Sequence, residues 1–140
     1  MKIKLKKLRE DFKMPTYALA GDVGLDLFAY ETVILKPGAH HRFWSGFALE
    51  FPNGFGAFVM DKSSISKAGL KTMGGVFDAG YRGEYNVHVV NLGSEPYTVE
   101  AGDKIAQLVI LPVAQPELIL TEELSESERG EGGFGSTGKK

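Results

Sequence analysis

Short apolar segments, separated by turn residues, dominate the hydrophobic pattern of this chain. Eighteen glycines and six prolines interrupt them, and few stretches keep a 3.6-residue apolar period long enough to predict a helix. Alternation is clearest in residues 84–92, where Tyr85, Val87 and Val89 share one predicted strand face. The other predicted strands cover residues 3–8, 24–30, 47–51, 55–60, 104–111 and 117–120. Residues 63–69 alone suggest a brief helix, so the pattern predicts an all-β sandwich or barrel.

Composition narrows the class of protein. A length of 140 residues predicts one domain, and 43% hydrophobic with 24% charged residues is typical of a globular protein. The absence of cysteine excludes disulfides, thiolate metal sites and cysteine nucleophiles. A net charge of -2 gives no general attraction for nucleic acid. No apolar run approaches the ~20 residues of a membrane span, and the lysine-rich N-terminus lacks an apolar signal core, which predicts a cytoplasmic protein.

The last twenty residues differ in composition from the rest. Residues 121–140 are acidic and then glycine-rich, with five glycines among the ten residues that begin at Arg129. A P-loop requires a helix that begins directly after its glycines, and none is expected after "GSTGKK", so the sequence does not predict a P-loop. Composition alone favours a disordered tail. The alternative is a nucleotide-binding strip, in which glycine N–H groups and Arg129 bind phosphate, Ser136 and Thr137 supply hydroxyls, and Phe134 covers a base.

Residues 74–87 allow two interpretations. Asp78 and Tyr81 flank a glycine-containing turn that precedes the best alternating strand. In the first interpretation this is a β-hairpin whose turn is stabilised by the Asp78 side chain. In the second, Asp78 orients or deprotonates a water molecule and Tyr81 supports a ring of a ligand.

Three further positions could bind a ligand or serve the fold. Lys62 followed by Ser63 and Ser64 predicts either a serine-capped helix or a phosphate clamp. Gln107 is one polar residue among apolar neighbours, so its amide must either tie down a turn or contact a ligand. Asp26 interrupts an apolar alternation, and the default expectation for it is an outward-facing side chain.

The order of these segments is more specific than any one of them. "AGDVGLDL", "KSS", "GGVFDAGYRGE", "GDKIAQLV" and "RGEGGFGSTG" follow one another along nearly the whole chain. This arrangement resembles the five motifs of the trimeric deoxyuridine triphosphate nucleotidohydrolases, the dUTPases. The resemblance implies a distorted β jelly roll or barrel over residues 1–124, followed by a flexible arm over residues 125–140. It also implies homotrimers with three sites at subunit interfaces, which hydrolyse dUTP to dUMP and pyrophosphate with Mg²⁺.

The resemblance also assigns roles to residues. Asp78 matches the aspartate that activates the attacking water, and Tyr81 matches the ring that packs under deoxyribose and leaves no room for a 2′-hydroxyl. A hairpin after Gly75 is implied to bind uracil through backbone groups, and Asp26 to hold a metal-bound water or an arginine. Phosphate contacts are implied for Lys62, Ser63, Ser64 and Gln107. The arm that closes over the nucleotide is implied to act through Arg129, Phe134, Gly135, Ser136 and Thr137.

Some positions depart from the family pattern or leave alternatives open. The second motif normally begins with arginine, and Lys62 loses the two-pronged hydrogen bonding of that residue. A shifted alignment would make Lys67 the cation instead. A sister family of the same fold that deaminates dCTP has glutamate at the Asp78 position, and such a deaminase or a bifunctional dCTP deaminase/dUTPase is one alternative. A regulatory protein that binds nucleotide without turnover is another. His40, His41 and His88 match no family position.

Overall fold

The computed structural model describes residues 1–133, which contain eleven strands and one short helix. Strands make up 37% and helix 4% of these described residues. The strands are β1 (Lys4–Lys7), β2 (Leu25–Phe28), β3 (Val33–Leu35), β4 (His40–Trp44), β5 (Phe47–Glu50), β6 (Phe55–Met60), β7 (Leu70–Thr72), β8 (Val76–Phe77), β9 (Asn86–Asn91), β10 (Tyr97–Val99) and β11 (Lys104–Pro112). The helix α1 (Ser63–Lys67) joins β6 to β7.

The strands form four antiparallel sheets. Two are two-stranded, β1 with β5 and β10 with β3, and the third has the order β4-β9-β7. The fourth, β2-β11-β6-β8, is held by the nine-residue β11, which pairs with both β2 and β6. Most neighbours in these sheets are distant in sequence. The all-β, jelly-roll prediction is confirmed, and no closed barrel forms among the described residues.

The core lies between the sheets and is rich in aromatic side chains. Tyr85, Val87 and Val89 are at most 1% exposed, which confirms the face predicted from their alternation. The Tyr85 ring stacks between Phe47 and Phe77, with centroids 5.3 and 4.2 Å away. Burial raises the pKa of the Tyr85 hydroxyl to about 12, so this side chain is neutral at ordinary pH.

Two strand predictions differ from the structure. Residues 117–120 form no strand, and Leu118 and Leu120 are more than nine-tenths exposed. The hairpin predicted within residues 74–87 is also wrong. Strand β8 pairs with β6, whereas β9 pairs with β4 and β7. Residues 73–85 therefore form a long connection between the adjacent strands β7 and β9.

The division into a domain of residues 1–124 and an arm of residues 125–140 stays a prediction. Residues 121–133 contain no helix or strand. The segment Phe134 to Lys140 lies outside the described residues. Within residues 1–133 no helix is both long and apolar enough to span a membrane.

Candidate nucleotide site

Asp78 follows the short strand β8 at the start of a tight turn. Its neighbour Phe77 is buried and fixes the end of the strand, while Asp78 itself is exposed. The turn is closed by the Tyr81 N–H, which donates to the Asp78 carbonyl oxygen at 3.0 Å. The turn that was predicted to be stabilised by the Asp78 side chain is therefore closed by a backbone hydrogen bond. Asp78 lines a cavity of about 340 Å³ together with Phe58 and Gly80, where its carboxylate can accept a hydrogen bond from water.

Tyr81 presents a fixed aromatic surface beside this carboxylate. Its hydroxyl donates to the Glu84 carbonyl oxygen at 3.1 Å, and its ring packs against Phe77 with centroids 5.5 Å apart. A side chain at Gly83 would collide with the Tyr81 hydroxyl, so glycine there keeps the ring in place. Tyr81 is nevertheless 38% exposed. The ring is therefore fixed by its contacts while part of its surface stays accessible to a ligand, as a stacking surface requires.

Gly75 has a structural role that is visible in the fold. Its φ of +101° is a conformation that side-chain-bearing residues rarely adopt, and an added Cβ would lie 2.7 Å from Val59. The Gly75 carbonyl oxygen accepts a hydrogen bond from the Val59 N–H at 2.7 Å. Glycine therefore lets the segment before Asp78 run directly against β6.

A second group of predicted residues meets where β11 lies between β2 and β6. The strand register places Gln107 opposite Asp26 on one side and Met60 on the other. Gln107 Nε2 donates to the Asp61 carbonyl oxygen at 2.9 Å. Lys62 Nζ donates to Asp26 Oδ1 at 2.8 Å. The structure thus brings Asp26, Gln107 and the beginning of α1 together.

Asp26 is buried, at 3% exposure, so the expectation of an outward-facing aspartate is wrong. Its carboxylate lies between two cations, with Lys62 on Oδ1 and Lys104 Nζ 2.6 Å from Oδ2. Burial by itself raises the pKa of Asp26, but hydrogen bonds from Lys104 and Lys62 outweigh that effect and leave it below the ordinary value of 3.8. The carboxylate is therefore charged at neutral pH and holds both ammonium groups in place.

The helix α1 begins differently from the prediction. Lys62 occupies the N-cap position with no side-chain cap, and Ser63 and Ser64 lie exposed in the first turn. The predicted serine cap is therefore wrong. Both hydroxyls remain accessible to a ligand. Lys67 lies exposed in the last turn, whereas Lys62 contacts Asp26, so the alignment through Lys62 is the one that fits the buried carboxylate.

Sequence reasoning missed two residues of this region, Lys104 and Asp61. Asp61 Oδ1 accepts hydrogen bonds from the Thr72 N–H at 2.8 Å and the Thr72 hydroxyl at 2.7 Å, and its carboxylate also pairs with Lys71. Burial by itself raises the pKa of Asp61. The hydrogen bonds from Lys71 and Thr72 outweigh that effect and leave the pKa below the ordinary value of 3.8. Asp61 thus ties the entry of α1 to β7. Both residues could have been found from the sequence, because each is a charged residue within or directly beside a motif that had been singled out.

One chain does not bring the Asp78 group and the Lys62 group together. On β6, Phe77 pairs with Ala57 and Gln107 pairs with Met60, and their strands β8 and β11 flank opposite sides of β6. Three residues along the strand direction and two strand spacings across the sheet give a separation of about 14 Å between the backbones of Phe77 and Gln107. A ligand that contacts both sets of residues in one chain would have to be extended. Otherwise the second set of residues would have to come from another copy of the chain.

The C-terminal residues of the predicted site are described only in part. Arg129 is exposed, and its carbonyl oxygen accepts a hydrogen bond from the Gly132 N–H at 3.0 Å. The predicted contacts of Phe134, Gly135, Ser136 and Thr137 fall outside the described residues.

Replacing Asp26 with asparagine is expected to destabilise the fold by about 2 kcal/mol, because two ammonium groups lose their shared counter-charge. The measurement is the free energy of unfolding in urea at pH 7. Since the Asp26 pKa is lower folded than unfolded, the difference from the natural chain should shrink as the pH falls through the unfolded and then the folded pKa. A difference that is unchanged at acid pH would contradict the ion-pair explanation.

Comparison with known proteins places these features in a family. The dUTPase family model matches residues 10–138. The deoxyuridine 5'-triphosphate nucleotidohydrolase of Clostridium tetani is 43% identical over 140 residues, covering 98% of this chain and 97% of that protein.

Solved structures agree. A mutant dUTPase of Staphylococcus bacteriophage 80alpha with dUpNHpp has a TM-score of 0.90 and 31% identity, covering 98% of each chain. A mutant dUTPase from phage phi11 of S. aureus, described with a structural Mg(II) ion, has a TM-score of 0.80 and 28% identity over 88% of this chain and 98% of that chain. From its sequence and its strand arrangement, this chain belongs to the dUTPase family.

Proposed function

We propose that this protein hydrolyses dUTP to dUMP and pyrophosphate, which keeps uracil out of DNA and supplies dUMP for thymidylate synthesis. The observation that carries the proposal is the exposed Asp78 carboxylate in a cavity of about 340 Å³, three residues before a fixed and half-open Tyr81 ring. A nucleotide phosphohydrolase needs these two parts together, a carboxylate that can orient water and a flat surface for the sugar or base.

In the proposed reaction Asp78 acts as the general base. A water molecule hydrogen-bonded to the Asp78 carboxylate attacks the α-phosphorus and gives its proton to that carboxylate. A new P–O bond forms, the bond from the α-phosphorus to the oxygen that bridges it to the β-phosphorus breaks, and pyrophosphate leaves with the electron pair. Tyr81 packs under deoxyribose, and its ring occupies the space that a 2′-hydroxyl would need. The segment after Gly75 contacts uracil through backbone groups.

The phosphates are proposed to bind the second group of residues. Lys62 provides positive charge at a position fixed by Asp26, and Lys104 adds a second ammonium on the same carboxylate. Ser63 and Ser64 offer exposed hydroxyls at the start of α1. Gln107 Nε2 donates one hydrogen bond to the Asp61 carbonyl oxygen, and the second N–H of the same amide can donate to a phosphate oxygen. These donors offset the charge of a triphosphate as the water approaches.

A homotrimer follows as a proposal from the separation of the two groups. Because the Asp78 loop continues from β8, whereas Gln107 lies on β11 at the opposite side of β6 in the same chain, a compact site forms most directly when the phosphate-binding group of one copy faces the Asp78 group of its neighbour. Three such contacts around a three-fold axis close the assembly and give three equivalent sites.

Magnesium is proposed as the cofactor. Within residues 1–133 no cluster of three or more His, Asp or Glu side chains could hold a metal ion. Asp26 is occupied by two lysines, so nothing supports a metal-bound water on it. This arrangement fits Mg²⁺, which keeps most of its waters and takes its remaining ligands from phosphate oxygens. When bound, the ion would shield the phosphate charge.

The C-terminal arm is proposed to close over the bound nucleotide. Arg129 would bind phosphate oxygens, Phe134 would cover uracil, and Gly135, Ser136 and Thr137 would add backbone and hydroxyl donors. Such closure expels water and strengthens the electrostatic interactions around the phosphorus. The cytoplasmic location of the protein stays a prediction.

The test of the proposed function is pyrophosphate release from dUTP, dCTP, dTTP and UTP with Mg²⁺. We expect rapid release from dUTP and at least about 100-fold lower kcat/KM for UTP and dCTP, because a misfit 2′-hydroxyl or base leaves buried polar groups unpaired. Comparable rates with all four nucleotides would refute the specificity. Binding of dUTP without any release would favour a regulatory protein, and release of ammonia from dCTP would favour a deaminase.

A further inference from the structure

Three histidines lie close together on strands β4 and β9, outside the two groups of residues described above. His40 and His41 begin β4, and His88 lies within β9. The strand register places Arg42, two residues after His40, opposite His88, so His40 and His88 are diagonal neighbours. Alternate residues of a strand share one face, which puts both rings on the outer side of the β4-β9-β7 sheet. None of the three histidines lines the Asp78 cavity.

The rings of His40 and His88 meet through their nitrogens. His40 Nδ1 lies 2.9 Å from His88 Nε2, with the ring centroids 4.9 Å apart and the ring planes at 70°. His41 differs, because its Nε2 pairs with Glu31 Oε1 at 2.9 Å and its ring packs against Phe43. Among the described residues no carboxylate or other side chain hydrogen-bonds to the two facing nitrogens of His40 and His88. These two nitrogens are therefore engaged only with each other in that part of the chain.

The ionisation state of His88 favours binding of a metal ion. Burial is the largest influence on its pKa, and the nearby charges of His40, Arg42 and His41 act in the same direction, so the pKa lies below the ordinary value of 6.5. The His88 ring is therefore mainly neutral at pH 7. A neutral imidazole keeps a free lone pair on one nitrogen, and this is the form that binds metals.

The fixed positive charges on this face of the sheet are engaged elsewhere. The Arg42 guanidinium lies 5.8 Å from the centroid of the Trp44 ring, and Trp44 is further from His40 along β4 than Arg42 is. Lys71 is on β7, beside β9, and its ammonium pairs with Asp61. Arg42 and His40 are both exposed, so water and salt screen the remaining repulsion between the guanidinium and an ion held at the histidines.

The spacing of the two nitrogens fits a metal ion as well as a hydrogen bond. Imidazole nitrogens bind divalent transition metals at about 2.0–2.1 Å. Two nitrogens in neighbouring positions of an octahedral or square-planar ion therefore lie about 2.9 Å apart, whereas a tetrahedral ion needs about 3.3 Å between them. The observed 2.9 Å matches the first arrangement. His40 is exposed, which leaves space for water molecules in the remaining coordination positions.

We infer that His40 Nδ1 and His88 Nε2 form a binding site for a divalent transition-metal ion of octahedral or square-planar preference, such as Ni²⁺ or Cu²⁺. Water completes the coordination shell, because among the described residues no third His, Asp or Glu joins the pair. As the ion binds, the hydrogen between the two rings moves through solvent to the other nitrogen of its own ring. This site is separate from the phosphate-bound Mg²⁺ proposed above, since Mg²⁺ prefers oxygen ligands, and it does not depend on the proposed function.

A bound ion would join β4 to β9 through one coordinate bond from each strand. The two histidines are 48 positions apart in the sequence, so the pair of ligands is assembled only in the folded chain. A ligand that binds only the folded state raises its stability in proportion to the logarithm of the free ligand concentration. The ion should therefore bind measurably and also raise the melting temperature.

Calorimetric titration with Ni²⁺ tests the binding. The full chain is used without nucleotide and without a polyhistidine tag, at a pH about one unit above the ordinary histidine pKa of 6.5. We expect one site per chain, and His40→Gln and His88→Gln should each raise its Kd at least about tenfold, the smallest loss that even an outer-shell change causes at a metal site. His41→Gln is the matched control and should leave the Kd unchanged. Equal affinity in His40→Gln and the natural chain would overturn the inference, as would an equal loss in His41→Gln.

Melting temperatures provide the second test. Ni²⁺ at saturation should raise the melting temperature of the natural chain by about 3 °C or more. The rise should largely disappear about one pH unit below 6.5, where protons compete for the histidine nitrogens, and an equal concentration of Mg²⁺ should give none. His40→Gln changes an exposed side chain, so this variant decides the outcome even if His88→Gln folds poorly. A rise that persists in His40→Gln would overturn the inference. Neither measurement involves dUTP, so failure of pyrophosphate release would leave this site standing.

Discussion

Asp78→Asn is expected to lower kcat for dUTP by about 10²–10⁴-fold, the contribution typical of a general base. Asparagine keeps the size and can still hydrogen-bond to water, but it cannot take the proton when the water attacks phosphorus. The residue is exposed, and the turn that follows it is closed by the backbone bond from Tyr81. Folding should therefore be unaffected. The measurements are steady-state pyrophosphate release, dUTP binding by calorimetry and the melting temperature.

Glu95→Gln serves as the matched control, because it removes an exposed carboxylate that does not line the Asp78 cavity. Its kcat should equal that of the natural chain. If Asp78→Asn kept more than about a third of the natural kcat while binding dUTP normally, Asp78 would not be the base. If binding were lost along with turnover, the carboxylate would instead be needed to hold the nucleotide and its metal.

Strands with a clear local apolar pattern were predicted correctly from the sequence. Strand β6 was predicted with its observed bounds, and the buried face of β9 followed from alternating Tyr85, Val87 and Val89. Strands β3, β7, β8 and β10 have only two or three residues each. Such short runs have too little alternation to be recognised, because pairing with distant strands decides them. The opposite error occurred at residues 117–120, which contain three apolar side chains but pair with no strand among the described residues.

The sequence predicted which residues belong to the site better than it predicted their burial and contacts. Asp26 was singled out, but its burial could not be predicted, because its partners Lys62 and Lys104 are 36 and 78 positions away in the sequence. Pairing of β11 with β2 and β6 creates that environment. Asp61 was missed for the same reason, since its bonds to Thr72 and Gln107 depend on the packing of three elements. Motif order identified the family, whereas the contacts of each motif required the fold.

Deleting residues 129–140 is expected to lower kcat/KM for dUTP by about 100-fold or more, because the deletion removes Arg129, Phe134 and the other groups proposed to close the site. Stability should hardly change. The part of this segment that the structure describes, residues 129–133, lies at the surface and adds nothing to the apolar core. The measurements are pyrophosphate release and the melting temperature without nucleotide.

The control for this deletion is a shorter one, of residues 139–140, which removes two lysines and keeps every arm residue for which a nucleotide contact is proposed. It should retain nearly full activity. A drop of more than about 5 °C in melting temperature for the longer deletion would show that the segment supports the fold itself, since a loss of only 1 kcal/mol shifts a domain of this size by a few degrees. Unchanged activity would remove the arm from the mechanism. Low activity with unchanged melting is the combination expected of a segment that binds the nucleotide and contributes little to folding.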